Sequence, residues 1–90
     1  METEIKVSDL RKQAEEAISA ALPRALPEHA DIDWFSALTG DIGLDSVQIM
    51  NLVMEIEDEL DLSVPVDLLA EVTTLDQLAN QLKRLLESRS

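Results

Sequence analysis

Residues 46–60 run Ser46-Val47-Gln48-Ile49-Met50-Asn51-Leu52-Val53-Met54-Glu55-Ile56-Glu57-Asp58-Glu59-Leu60. At about 100° per residue, Ile49, Val53, Ile56 and Leu60 cluster within roughly 60° of arc, with Leu52 beside them. That is the buried face of an amphipathic helix. Val47, Met50 and Met54 form a second apolar set, some 100–160° from the centre of the first. A helix in a three-helix bundle normally buries one stripe, so the second is expected to be partly exposed, Val47 above all. Packing under the preceding loop is the alternative for either methionine. Glu57, Asp58 and Asp61 project onto the same face and give it an acidic rim. Methionine suits such a surface because it is flexible and polarizable.

Working outward, Leu10, Ala14, Ala17, Ile18, Ala21 and Leu22 follow helical spacing and predict a first helix. Ser8 is its expected N-cap, Asp9 suits its positive end, and Pro23 and Pro27 are expected to stop it. A long loop over 23–45 follows, for which Trp34, Phe35, Leu38 and Ile42 are the candidate packing residues. Gly40 and Gly43 are the only glycines, so the tightest backbone is expected there. Pro65 opens a short helical turn over 66–70. A last helix over about 75–86 is capped by Thr74, with Gln77 completing a capping-box pattern; its apolar face is Leu75, Leu78, Ala79, Leu82 and Leu85 or Leu86. No segment alternates like a strand. The reading is all-α: a small antiparallel bundle of three main helices plus a short third helix, one domain over 1–90, with residues 1–6 expected to fray.

Composition narrows the function. Nineteen acidic residues against seven basic ones give a net charge of −12, which disfavours nucleic acid and anionic lipid. No lysine or arginine lies between Arg24 and Lys83, while thirteen carboxylates do. That middle is either a solubilising surface or a docking face for basic partners. There is no cysteine, hence no disulfide and no thiolate chemistry of the chain's own. No apolar run reaches the length of a membrane span, and the first residues lack a signal-peptide pattern, so a cytoplasmic location is expected. At this charge a monomer is expected.

Ser46 follows Asp45, and either residue ahead of an apolar run is an ordinary N-cap. The same place is also where backbone N–H groups favour an anion such as a phosphodiester. Asp41-Ile42-Gly43-Leu44-Asp45-Ser46-Val47 resembles the Asp-Leu-Gly-x-Asp-Ser-Leu attachment motif of acyl carrier proteins. The resemblance continues through Met50, Glu55-Ile56-Glu57-Asp58-Glu59-Leu60, Val64-Pro65 and Val72-Thr73-Thr74-Leu75. It implies a non-catalytic carrier whose Ser46 receives 4′-phosphopantetheine from coenzyme A through a phosphopantetheinyl transferase. Asp45 would assist that recognition, with any metal held by the partner. Val47, Met50, Met54, Glu57 and Asp58 match positions that face partner enzymes with basic docking surfaces: ligases, synthases or transferases. Leu52, Ile56, Leu60, Val64, Leu69 and Val72 match positions around a space where cargo can shelter, and serve equally well as core.

Neutral Gln48 and Asn51 stand where bacterial fatty-acid carriers usually place acids, and Leu44 resembles carriers of polyketide and related pathways. Acyl cargo of a fatty-acid, polyketide or other specialised pathway is therefore expected ahead of aminoacyl or peptidyl cargo loaded by an adenylating ligase. An unmodified acidic helical adaptor is a further alternative. His29, the single histidine, lacks the partners of a hydrolase, and Asp31, Asp33, Asp41 and Asp45 do not meet EF-hand spacing, so neither an enzyme nor a calcium site is expected.

Overall fold

The computed structural model describes residues 7–89, with side chains over 9–88. Four α-helices carry the architecture: α1 (Val7–Ala25), α2 (Ser46–Leu60), α3 (Val66–Ala70) and α4 (Leu75–Arg89). Among the described residues there is no strand. The apolar stripes of α1, α2 and α4 converge on one core, in which Ile18, Leu52, Ile56, Leu75 and Leu82 are fully buried. Each such side chain stabilises the fold by about 1.5–3 kcal/mol through water exclusion. The predicted α1 and α4 faces pack as their spacing requires, with Leu86 buried and Leu85 partly so. No described helix is long and apolar enough to cross a membrane. The fraying expected of residues 1–6 falls outside the described residues.

Three boundaries differ from the sequence reading. Ser8 lies within α1 rather than ahead of it. Pro23 does not stop α1, which continues to Ala25. In the last turn a proline forfeits only one backbone bond, and Leu26 still donates to the Leu22 carbonyl at 2.7 Å. Helix α4 runs on to Arg89. At its start, Thr74 Oγ1 accepts from the Gln77 N–H at 3.1 Å, but the Gln77 side chain reaches back to the N–H and hydroxyl of Thr73 (2.7 and 2.8 Å) rather than to Thr74.

The long connection folds into two short turns, a 3₁₀ turn at Pro27–His29 and a π turn at Leu38–Ile42. It is held to the α3–α4 junction by two backbone bonds: Leu38 N–H to the Thr73 carbonyl (2.8 Å), and Asp76 N–H to that of Trp34 (3.0 Å). Leu38 is buried, and Trp34 and Ile42 pack against the core, as expected. Phe35 does not: it is 74% exposed. Asp33 and Ser36 close a turn that holds Trp34 on the core side, and the side chain after it is left in solvent.

Candidate functional site

The approach to α2 is built by the π turn. The Ala37 carbonyl accepts from both Asp41 and Ile42 (2.9 and 3.0 Å), and the Asp41 carboxylate accepts from the Ala37 N–H. Gly43 then takes the left-handed region at φ 88°, a conformation that other residues adopt only under strain. Gly40 has no such need; a Cβ there would meet only Ala37 at an ordinary 3.6 Å. Leu44 is buried and its N–H closes onto the Leu38 carbonyl at 2.9 Å, so the chain enters α2 from a fixed point.

Asp45 is the N-cap, and Ser46 is the first helical residue. Asp45 Oδ1 accepts from the Gln48 N–H (2.8 Å), and Gln48 Oε1 accepts from the Asp45 N–H (3.1 Å), a complete capping box. Capping therefore falls to Asp45, and the exposed Ser46 hydroxyl is spared that role. The Asp45 carbonyl takes the Ile49 N–H at 3.1 Å. Of the first four helical N–H groups, those of Ser46 and Val47 are left open beside the hydroxyl, at the positive end of the helix dipole. An anion linked to Ser46 would find both donors and favourable charge there.

The second stripe of α2 lies in solvent: Val47 is 68%, Met54 59% and Met50 43% exposed. Neither methionine is covered by the loop. Farther along, Met54, Glu57, Asp58, Asp61, Leu62 and Ser63 surround a hollow of about 350 Å³. The acidic residues of α2 divide by role. Arg24 holds Glu59 at 2.6 Å and Glu55 at 4.0 Å. Glu57 accepts from the Val64 N–H at 2.7 Å and so ties the end of α2 to the following turn. Asp58 and Asp61 remain exposed, and Asp61 ends the helix in a left-handed conformation at φ 55°. Of the residues matched to a cargo space, Leu52, Ile56 and Val64 are buried, while Leu60, Leu69 and Val72 pack partly buried against the same core. Among the described residues, no group of three potential ligands could hold a metal ion.

Residues 13–82 match the family model described as the phosphopantetheine attachment site. The chain is also 36% identical over 69 residues to a probable acyl carrier protein of Caulobacter vibrioides (strain NA1000 / CB15N), covering 73% of this chain and 80% of the relative. The chain belongs to the acyl carrier protein family. No solved structure matches it significantly. It is thus a non-catalytic carrier whose prosthetic group is 4′-phosphopantetheine, and it works by interaction with modifying and acyl-handling enzymes. The hydroxyl and open N–H pair at the start of α2 fit the phosphodiester of that group.

Two surface features of the carrier escaped the sequence reading. Val66, at the start of α3, is 70% exposed, although its neighbours in sequence gave no reason to place it outside. Arg11 joins α1 to α4 by bonds to Asp76 (2.7 Å) and Asn80 (2.6 Å), and is braced on α1 by Glu15 (2.7 Å). The hydrogen bond it donates to Asp76 raises its pKa, desolvation opposes this, and Glu15 adds to the rise. Only the spacing of Arg11 to Glu15 was visible as an i, i+4 pair.

Proposed function

We propose that Ser46 is the attachment residue and that the carrier delivers acyl groups within a dedicated fatty-acid, polyketide or other specialised pathway. One observation carries this reading: an exposed serine hydroxyl at the first position of α2, with two open backbone N–H groups beside it and an exposed apolar stripe running away from it. When attached, the arm supplies the thiol on which an acyl group is held. The Ser46 oxygen attacks the pantetheine-side phosphorus of coenzyme A, its proton passes to the transferase, the pyrophosphate bond breaks and adenosine 3′,5′-bisphosphate leaves. The Ser46 and Val47 N–H groups steady the resulting phosphodiester. Asp45 fixes the geometry of that turn and adds a carboxylate for the transferase to recognise.

Val47, Met50 and Met54 form the contact surface for pathway enzymes, with Asp58 supplying charge to basic docking sites. Glu57 contributes mainly by holding the end of α2 in place. Leu52, Ile56, Leu60, Val64, Leu69 and Val72 surround the space that cargo would enter. The carrier domain works in the cytoplasm as a monomer. Neutral Gln48 and Asn51 favour a specialised acyl pathway over general fatty-acid synthesis, and aminoacyl cargo is the competing assignment.

Intact-protein mass after incubation with coenzyme A and a broad-specificity phosphopantetheinyl transferase tests the site. Wild type should gain one phosphopantetheinyl group and Ser46→Ala none. Gain in both would place the attachment on another serine, and gain in neither would favour an unmodified adaptor.

A further inference from the structure

Phe35 is the most exposed large apolar side chain among the described residues, and it lies off the α2 face. Hydrogen bonds on both sides hold the turn that displays it. The Ser36 N–H and hydroxyl both bind Asp33 (3.3 and 2.9 Å), and the Trp34 carbonyl is fixed to the first turn of α4. Beside it lies a hollow of about 340 Å³ lined by Arg11, Glu15, Ser19, Trp34, Phe35 and Asp76. Arg11, Glu15 and Ser19 are spaced four residues apart on α1, so the hollow follows that helix for about 12 Å, a little over two turns. No residue of α2 takes part in it.

Charge indicates what would fit. Arg11 is the only cation lining the hollow, and each of its three side-chain nitrogens donates a bond, to Glu15, Asn80 and Asp76. Two carboxylates thus face one committed guanidinium. Asp33 immediately precedes the aromatic pair, with Asp31 two residues before it, and no lysine or arginine lies between Arg24 and Lys83. An acidic segment would meet an excess of carboxylate there, and a second copy of the carrier would bring its own charge of −12. A cationic segment with an apolar stripe would find both an aromatic anchor and complementary charge.

We propose that the Phe35 turn and the groove along α1 form a second docking surface, which takes a basic amphipathic helix of a partner protein. Such a partner would hold the carrier while Ser46 and the α2 stripe stay free. This surface needs no modification of Ser46, so it stands or falls separately from the attachment site.

Trp34 is the only tryptophan in the chain and lines the groove, so its emission reports occupancy directly. The test titrates the full chain with a tryptophan-free helical peptide of lysine and leucine at i, i+3 and i+4 spacing, beside a counterpart with glutamate for lysine. The basic peptide should shift Trp34 emission saturably, and the acidic one should not. Phe35→Ser should weaken the response at least about fivefold, as expected for loss of an aromatic anchor. The Val47→Ser/Met54→Ser double variant should leave it unchanged. Phe35→Ser should melt with the wild type, since its side chain is outside the core. The proposal is overturned if Phe35→Ser titrates like the wild type, if the acidic peptide binds as well, or if the α2 variant abolishes the response. Emission that depends on carrier concentration alone, and that no peptide displaces, would make the occupant a second copy and overturn it too.

Discussion

Replacing Asp45 and replacing Ser46 should have opposite consequences, because the structure separates the cap from the hydroxyl. Asp45→Ala removes a 2.8 Å bond to the Gln48 N–H and leaves the 3.1 Å return bond without its partner geometry. Loss of an N-cap costs about 1 kcal/mol and up to about 2, and loss of a carboxylate at the positive helix end adds to it. For a domain of this size, a total of about 1–2 kcal/mol lowers Tm by about 4–16 °C. Ser46→Ala removes no cap bond and places a good helix former at the first helical position, so Tm should stay within about 3 °C of wild type or rise. Asp45→Asn, which keeps the cap acceptor, should lie close to wild type. Thermal melts followed by circular dichroism, with mass measurement of transferase loading on the same samples, read both effects. Ser46→Ala should be stable and unloadable, and Asp45→Ala destabilised. A Ser46→Ala variant that melts as low as Asp45→Ala would refute the division of roles, since Ser46 would then be holding the helix end.

Further outcomes follow from single residues. Gly43→Ala should cost about 1–2 kcal/mol in urea denaturation because φ is 88°, whereas Gly40→Ala should be neutral or stabilising. Asp61→Gly should stabilise by up to about 1 kcal/mol, by relieving a left-handed φ of 55° and removing an acid from the negative end of α2; a lower urea midpoint would contradict this. Leu52→Ala should cost about 2–5 kcal/mol, while Met54→Ser, on the exposed stripe, should change stability by less than about 0.5 kcal/mol. Arg11→Met should cost about 1 kcal/mol, discounted because the pair is partly exposed. A raised pKa contributes stability that is complete below the unfolded value and is lost only as pH rises through the folded one. An arginine stays protonated throughout this range even when unfolded, and the fold raises Arg11 further, so the gap in Tm between wild type and Arg11→Met should be constant from about pH 7 to about pH 10. A gap that closes within that interval would show that the bridge is not what Arg11 contributes.

The unmatched middle charge takes a different meaning once the fold is known. Read along the chain, its carboxylates form one repelling block. In the structure Arg24 holds Glu55 and Glu59, Arg11 holds Glu15 and Asp76, Glu57 takes a backbone N–H, and Asp45 caps a helix. The carboxylates that point freely into solvent are thereby Asp58 and, at the C-cap, Asp61, both at the far end of α2 from Ser46. Docking enzymes would meet apolar contact near the serine and carboxylates some 18–22 Å along the helix, at 1.5 Å per residue.

The helices, their buried faces and the candidate serine were legible in the sequence because each rests on local physics. Spacing of 3.6 residues fixes which side chains share a face, capping residues mark the starts of α2 and α4, and glycine marks the φ 88° turn at Gly43, whereas Ser8 and Pro23 lie inside α1 and marked neither of its ends. The buried and the exposed stripe of α2 could be told apart for the same reason. Contacts between residues distant in sequence were not legible. Arg11 meeting Asp76 and Asn80, Glu57 closing on Val64, and Trp34 docked at the start of α4 depend on how the elements pack. The capping choice between Asp45 and Ser46 depended on the backbone entering from the π turn, and the outward Phe35 on which side of its turn faced the core. Periodicity assigns a face to a helix, but a loop residue has no period, and its burial is decided only by the tertiary structure that receives it.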